Sequence, residues 1–208
     1  MAGIEPFEKY YKEYDEWFIN NPEIYSAELN AIKSLIPCNK SGIEIGVGTG
    51  RFAKPLGITV GVEPSKKMAD ISRKQGIKVY EGVAEKLPLA DKTFDFVLFV
   101  TTICFVDDLT KSLKEAHRVL KNDGFIIVGF VDKESELGKR YQLKRGKSKF
   151  YRDATFYSTE EVLDYLKNAG FSDFSIKQTV LSGDEYKMSH IKDGFGEGSF
   201  VIIKANKN

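Results

Sequence analysis

The residues with the clearest chemical signature lie in a glycine-rich segment that follows a short apolar run. Gly46, Gly48 and Gly50 alternate with other residues, and Glu44 stands two positions before the first of them. Glycines in a turn between a strand and a helix let a ligand lie against bare backbone, whose free amides attract polar or anionic groups. The dinucleotide fingerprint G-x-G-x-x-G is not completed, because Arg51 stands where its last glycine would be. The segment therefore predicts a nucleotide-like ligand other than NAD.

A carboxylate marks the end of the next predicted strand. Glu63 follows Gly46 by seventeen residues and directly follows the apolar run 59–62. A carboxylate at this place can accept hydrogen bonds from both hydroxyls of a ribose. The glycine-rich turn and Glu63 together predict nucleoside recognition more specifically than either feature does alone.

From Gly42 onward, short apolar runs alternate with amphipathic segments. This order indicates an α/β fold, a doubly wound and mostly parallel sheet with helices on both faces. The almost continuously apolar run 94–100 is typical of a central strand. The pattern predicts strands at 42–45, 59–62, 78–80, 94–100, 125–131, 174–180 and 199–204, and helices at 49–56, 65–75, 109–120 and, after a capping box, from 158 to about 170.

Two segments rich in aromatic residues flank this alternation. Residues 1–38 predict helices, one of them beginning at Pro22, and most of their aromatic side chains fall on one or two helix faces. Residues 132–157 are too long for an ordinary connection, and basic side chains alternate there with aromatic ones. We interpret the chain as one domain with a helical lid (1–38), a ligand-binding core (39–131), a basic aromatic insert (132–157) and a C-terminal helix and strands (158–208).

Composition narrows the class of protein further. The 208 residues can form a full core, and no run approaches the roughly 18 apolar residues needed to span a bilayer. The formal net charge of +1 gives no global attraction to nucleic acid or to an anionic membrane. Cys38 and Cys104, even together with His117 and His190, do not have the spacing of a disulfide framework or of a zinc site. We therefore expect a cytoplasmic protein with no metal and no membrane partner.

Five segments between Ile43 and Phe171 occur in a recognisable order. They are Glu44-Ile45-Gly46-Val47-Gly48-Thr49-Gly50, Gly61-Val62-Glu63-Pro64-Ser65, Gly82-Val83-Ala84-Glu85-Lys86-Leu87-Pro88, Phe94-Asp95-Phe96-Val97-Leu98 followed by Thr101, and Arg118-Val119-Leu120-Lys121-Asn122-Asp123-Gly124. In sequence and spacing this order resembles the class I S-adenosylmethionine-dependent methyltransferases, in particular the small-molecule enzymes of the type 11-like group.

The resemblance implies a seven-stranded sheet whose last strand is antiparallel, and S-adenosyl-L-methionine as the cofactor. It implies that Glu63 binds the ribose and that the glycine loop lies against the methionine and ribose portions. The family often has Asp, which binds the adenine amino group, where this chain has Val83, so we expect Glu85 or a main-chain oxygen to make that contact. The implied cofactor-binding residues are Glu44, Gly46, Gly48, Gly50, Glu63, Pro64, Ala84, Glu85, Leu87 and Thr101.

Methyl transfer from a sulfonium is an in-line displacement that depends on positioning and on a shielded pocket, so no nucleophilic triad is required. Tyr14 and Trp17 are the candidates for facing the acceptor, because an aromatic face suits a sulfonium or an amine cation. We predict a small-molecule acceptor, and a small amine is compatible with this site. The sequence leaves the acceptor atom, the general base and the oligomeric state open.

Two other functions fit parts of the sequence. The basic stretch 139–152 would suit an RNA methyltransferase, although RNA-binding proteins usually combine stacking side chains with a broader positive surface, so nucleic acid is not the expected partner. A non-catalytic, S-adenosylmethionine-binding regulatory protein would keep the cofactor motifs without an acceptor pocket.

Overall fold

The computed structural model describes residues 3–181 and 190–208. Its α-helices are α1 (Ile4–Lys9), α2 (Tyr11–Asn20), α3 (Pro22–Lys33), α4 (Lys66–Lys74), α5 (Leu109–Val119), α6 (Glu136–Lys144) and α7 (Thr159–Asn168). Its strands are β1 (Gly42–Ile45), β2 (Val60–Glu63), β3 (Lys78–Glu81), β4 (Phe94–Val100), β5 (Leu120–Val131), β6 (Phe171–Leu181), β7 (Lys192–Asp193) and β8 (Gly198–Lys207). No helix in these ranges is long and apolar enough to cross a membrane.

The described strands form one sheet in the order β3-β2-β1-β4-β5-β8-β6-β7. Strands β1 to β5 pair in parallel, whereas β8 is antiparallel to both β5 and β6. The predicted fold class is therefore confirmed, and the predicted antiparallel strand 199–204 lies within β8. The structure adds an eighth strand, β7, to the seven expected, because a two-residue edge strand is too short to produce a hydrophobic alternation.

Helices pack on both faces of the sheet, as the alternation predicts. On one face, Phe96 and Leu98 of β4 belong to the same buried cluster as Ile32 of α3. On the other face, Val97 of β4 is clustered with Leu113 of α5 and with the buried side of α7. Because β4 is buried on both faces, its carboxyl end is held firmly, and so is the start of the loop that follows it at the edge of the sheet.

Local capping sets several of the helix boundaries. The Ser65 hydroxyl accepts a hydrogen bond from the Met68 amide at the start of α4, and an Asp108 carboxylate oxygen accepts one from the Lys111 amide at the start of α5. The predicted capping box of Ser158 and Glu161 is present in α7.

Three local predictions differ from the structure. Residues 49–56 form a series of turns rather than the predicted helix, because Pro55 has no amide hydrogen to donate and the Arg51 carbonyl accepts the Tyr25 hydroxyl instead. The helical stretch before Pro22 is divided into α1 and α2 at Tyr10. The insert contains α6, which the sequence pattern did not indicate.

We predict that Gly42→Ala destabilises the sheet beside the glycine-rich loop. A Cβ atom at Gly42 would lie 2.1 Å from the ring of Phe96, which is itself stacked on Phe125. Overpacking of this kind should lower the free energy of unfolding by about 1–3 kcal/mol, measured by urea denaturation. Gly146→Ala is the matched control, since a Cβ there meets no atom within 4 Å. Equal stability of the two variants would contradict this packing.

Candidate functional site

A cavity of about 910 Å³ lies at the carboxyl ends of the parallel strands. Its floor is formed by the loops that follow β1, β2, β3 and β4, and its roof by α1, α2 and part of the insert. Ligands of open α/β sheets bind at this edge, where the loops and helix N-termini converge. Seven of the ten residues predicted from the resemblance line the cavity, namely Gly46, Gly48, Glu63, Pro64, Ala84, Glu85 and Thr101.

The loop after β1 brings bare backbone to the cavity. Gly46 and Gly48 have φ angles of 71° and 54°, in the left-handed region that favours glycine. A Cβ atom at Gly46 would lie 2.5 Å from Thr102, so this position has no room for a side chain. A Cβ atom at Gly48 would lie 3.6 Å from the Tyr14 hydroxyl, which shows that the roof reaches the loop. The loop thus forms a narrow channel between backbone and aromatic ring.

Glu63 presents a buried carboxylate to this channel. One of its oxygens accepts a hydrogen bond from the Gly48 amide at 2.9 Å, and the other accepts one from the Ser65 amide at 2.9 Å. Burial raises the pKa of Glu63 to about 7, in spite of the two amides, which favour the charged form. Each carboxylate oxygen has further lone pairs, so the group can still accept two hydroxyl donors.

Three of the predicted residues lie behind the cavity wall rather than in it. Glu44 is buried below the loop; its Oε2 atom has no hydrogen-bond partner among the described residues, and burial raises its pKa well above the usual value. A Cβ atom at Gly50 would lie 2.6 Å from Ile77 on the α4 side. Leu87 packs in the core, and its amide donates to Glu115 at 2.8 Å. Their expected contact with the cofactor remains a prediction.

The loop after β3 is held in place by ionic hydrogen bonds. The Arg118 guanidinium donates to the carbonyls of Leu87 and Leu89 at 3.1 and 2.8 Å, and it pairs with Glu115. Glu85 Oε1 accepts the amides of residues 107 and 108 at 2.6 and 3.2 Å, just before α5. The Glu85 carboxylate therefore stabilises the start of α5, and the adenine contact expected of Glu85 or of a main-chain oxygen remains a prediction.

Thr101 is strained at the end of β4. Its φ angle is 49°, a left-handed conformation that costs a β-branched residue about 1 kcal/mol or more. The Thr101 amide donates to the Gly129 carbonyl at 2.8 Å, which holds the conformation. Strain that the fold maintains in a cavity wall is typical of ligand-binding positions.

Aromatic rings from two distant segments form the roof. The Phe7 ring lies within 6 Å of the rings of Tyr14, Phe105 and Phe150. Tyr14 and Trp17, the predicted acceptor-facing residues, both line the cavity. Desolvation raises the pKa of Tyr14, so its hydroxyl stays protonated and can donate a hydrogen bond. Whether either side chain takes part in the reaction remains a prediction.

Two carboxylates fasten the helices of the roof to the floor. Asp15 of α2 accepts hydrogen bonds from Thr49 at 2.7 Å and from two guanidinium nitrogens of Arg51, which hold the pKa of Asp15 below its usual value. Glu8 of α1 accepts the Ser65 hydroxyl at 2.6 Å and the Lys67 amide at 3.2 Å. These bonds join α1 and α2 to the loops after β1 and β2. The position of the roof helices and the conformation of the floor loops are therefore linked.

Among the acidic residues of the cavity that were not predicted from the sequence, Glu28 is the buried one. Glu28 of α3 is 6% exposed and lines the cavity. The sequence feature that could have identified Glu28 is its place on the apolar stripe of the helix, four residues after Ile24 and four before Ile32. A carboxylate on such a stripe is unusual, because burial of an unpaired charge is costly.

Comparisons with known proteins agree with this architecture. A family model described as a methyltransferase domain matches residues 43–128. A solved structure from Thermotoga maritima, described as a SAM-dependent methyltransferase and possible histamine N-methyltransferase, is 50% identical, with a TM-score of 0.95 over 98% of this chain and 99% of that one. An uncharacterised protein of Methanocaldococcus jannaschii is 48% identical over 97% of this chain and 98% of its own length. A demethylmenaquinone methyltransferase of Chlorobaculum parvum is 33% identical over 48% of this chain and 45% of its own length.

The chain therefore belongs to the class I S-adenosylmethionine-dependent methyltransferases, and S-adenosyl-L-methionine is its cofactor. The observed site fits this molecule. Gly46 and Gly48 line the cavity with bare backbone, and the buried Glu63 carboxylate provides oxygen acceptors of the kind that a ribose diol needs.

We predict that the affinity for S-adenosylhomocysteine, the demethylated product, falls as the pH is lowered from about 8 to 6. Below the Glu63 pKa of about 7, the free carboxyl group holds a proton that it must release before both oxygens can accept hydroxyl donors. Calorimetric titration across this range should show a decrease that approaches tenfold per pH unit at the acid end.

Glu63→Gln should bind the same ligand more weakly and with little pH dependence, whereas Glu81→Gln, at the exposed end of β3, serves as the control. A pH-independent affinity of the wild-type protein, or an unchanged affinity of Glu63→Gln, would contradict the assignment of Glu63 to the ribose.

We also predict that Asp15→Asn loosens the roof. The substitution keeps the shape of the side chain but removes the charge that holds Arg51, which should increase the dissociation rate of S-adenosylhomocysteine on the order of tenfold. Fluorescence of Trp17, the single tryptophan of the chain, can follow dissociation in a stopped-flow experiment. Asp164→Asn, which removes an exposed pair with Lys167 on α7, is the control. Equal dissociation rates in all three proteins would rule out this role for Asp15.

Proposed function

We propose that this methyltransferase acts on a small-molecule acceptor, with a small amine as the favoured class. The observation that carries the proposal is the enclosure of the cavity beneath α1, α2 and the insert. The cavity continues past the cofactor loops to Val131 at the end of β5 and Ser199 at the start of β8. A roofed space of about 910 Å³ suits a cofactor and a compact second molecule rather than a polymer.

In this proposal, Glu63 binds the ribose hydroxyls and the backbone at Gly46 and Gly48 lies along the methionine portion. The cofactor supplies the methyl group: its S–C bond breaks as the acceptor forms a new bond to the methyl carbon, and the sulfonium becomes a neutral thioether. The protein contributes by holding the acceptor atom in line with the S–C bond and by excluding water. Tyr14 and Trp17 serve the second task because they close the roof over the loop.

The relatives support a small acceptor to different degrees. The Thermotoga maritima protein is described as a possible histamine N-methyltransferase, which agrees with an amine acceptor. The demethylmenaquinone methyltransferases act on a quinone, also a small molecule compared with RNA, but they cover about half of this chain or somewhat more. Between these chemistries, the long alignment at 50% identity favours the amine.

The contacts of the insert argue against RNA as the acceptor. Several of its basic side chains are already engaged: Lys149 pairs with Glu13 at 2.6 Å, Arg152 with Asp153 at 3.5 Å, and Arg145 donates to the Arg152 carbonyl at 2.7 Å. Its rings Tyr141 and Tyr151 line the cavity instead of facing outward. The insert thus has the contacts of a lid rather than those of a broad positive surface.

The test is a transfer assay with methyl-labelled S-adenosylmethionine. The purified protein is incubated with separate pools of primary amines, phenols and quinols, thiols, carboxylic acids and total RNA, and the labelled products are separated by mass. We expect label in the amine pool and none in RNA. Glu63→Ala, which should lose cofactor binding, is the control for contaminating enzymes.

Label that appears only in RNA and disappears when Lys139, Arg140, Lys144 and Arg145 are replaced by Gln would favour the RNA methyltransferase. Tight binding of S-adenosylmethionine with no transfer to any pool would favour the regulatory protein.

A further inference from the structure

Glu28 combines burial with the absence of a partner. Its side chain is 6% exposed and makes no hydrogen bond or ion pair with any residue in the described ranges. Arg140 also lines the cavity, yet desolvation is the single cause that perturbs the pKa of Glu28, so no cation within residues 3–181 and 190–208 compensates the carboxylate. Burial raises that pKa to about 8. A group of this kind is costly for folding, which suggests that a ligand supplies the missing partner.

Glu28 lies on a helix that packs mainly against the strands beyond the cofactor motifs. Helix α3 packs against β5, β6 and β8, and its Tyr25 also donates to the Arg51 carbonyl in the loop after β1. Val131 and Ser199 line the cavity at the ends of β5 and β8, on the same half of the sheet as α3. Glu28 therefore lies on the helix that covers this half of the sheet. We call the part of the cavity along this half the acceptor half.

Glu28 shares its cavity with rings that lie over the cofactor loop. Tyr14 and Tyr151 both line the cavity, and desolvation, together with several carboxylates that include Glu28, raises the pKa of both hydroxyls. The Tyr14 hydroxyl lies 3.6 Å from the Cβ position of Gly48 in the cofactor loop. The cavity that Glu28 lines is therefore continuous with the one beside the loop.

The other acidic groups of the cavity are less suited to a cationic ligand. Glu63 already accepts two backbone amides, Glu85 accepts the amides before α5, and Glu13 is exposed and paired with Lys149. Asp107 and Glu136 are exposed at the rim. Trp17, Tyr14 and Tyr151 line the same cavity as Glu28, and aromatic faces attract cations.

We propose that Glu28 is the acceptor-binding residue of this enzyme, and that its carboxylate binds the ammonium group of a small primary or secondary amine within the aromatic wall. The inference rests on the proposed function and names the residue and the charge that select the substrate. A neutral alcohol or quinol would leave the Glu28 carboxyl group protonated and gain no ion pair, and a carboxylic acid would find no cation to pair with there.

The same carboxylate can take up the proton that the reaction must remove. An ammonium nitrogen has no lone pair, so one proton passes from it to a carboxylate oxygen of Glu28, which becomes a neutral carboxyl group. The amine lone pair is then available for the new C–N bond. The methylated product carries the positive charge as a secondary or tertiary ammonium, and Glu28 later releases its proton to solvent.

The test compares binding of a cation and of its neutral isostere, without turnover. Wild-type protein saturated with S-adenosylhomocysteine is titrated with 2-phenylethylamine and with 2-phenylethanol, followed by calorimetry and by Trp17 fluorescence. We expect the amine to bind at least about tenfold more tightly than the alcohol, because a desolvated ion pair forms with the first ligand only. In Glu28→Gln the preference should disappear, while affinity for S-adenosylhomocysteine stays unchanged.

Proton release gives a second measurement that a purely structural glutamate would not change. Near pH 7 the free Glu28 carboxyl is mostly protonated, since its pKa is about 8, so amine binding should release close to one proton. Calorimetry in buffers of different ionisation enthalpy measures this number. We expect release from the wild-type protein and from Glu23→Gln, the exposed control on the same helix, but none from Glu28→Gln.

Each outcome is decisive. Equal affinity for the amine and the alcohol in the wild-type protein, or a preference that persists in Glu28→Gln, would overturn the role of Glu28 and leave the proposed methyltransferase function standing. Failure of the wild-type protein to bind S-adenosylhomocysteine would overturn both. Glu28→Gln and Glu28→Met should melt no lower than the wild-type protein, because the carboxylate has no partner to lose. Failure of both variants to fold would identify a structural role and contradict the proposal.

Discussion

Folding removes the carboxylates of Glu28, Glu44 and Glu63 from water without pairing any of them with a cation of the described chain, and burial raises the pKa of all three. Such groups oppose folding unless a ligand completes them. Other parts of the fold hold these three carboxyl groups in place. The sheet fixes the backbone amides that bind Glu63, Glu44 is buried below the glycine loop, and the roofed cavity separates Glu28 from bulk solvent. A cationic cofactor and a cationic acceptor are the natural complement of an interior with this charge.

Much of the sheet could be predicted because its signals are local. A strand buried on both faces is continuously apolar over its own length, as β4 is, and capping residues lie beside the helices that they begin. The segment 49–56 was misassigned because its apolar spacing is helical, while a hydrogen bond from Tyr25, distant in sequence, captures the Arg51 carbonyl. Helix α6 was not predicted because Gly138 is its one buried residue and Leu143 is exposed, so its sequence carries no apolar periodicity.

The same distinction between local and long-range signals applies to the functional site. The glycine loop, Glu63 and Thr101 follow their strands directly, so spacing alone locates them at one edge of the sheet. Glu28 could not be found by this route. Its helix precedes β1, and the cavity that it lines is covered by α2 and the insert, which are joined by contacts such as that of Lys149 with Glu13, 136 positions apart. Sequence motifs describe the half of the site that binds the cofactor; long-range packing creates the other half.

The contact between Lys149 and Glu13 has a further consequence for the order of assembly. Helices α1 and α2 precede the whole sheet in the chain, yet their packing surface includes residues that follow β5. Closing so long a loop has an entropic cost that is recovered only after the intervening strands have paired. We therefore expect the roof to form after the sheet during folding, and to open by local unfolding while the sheet persists. Ligands would then enter and leave through the part of the molecule that folds last.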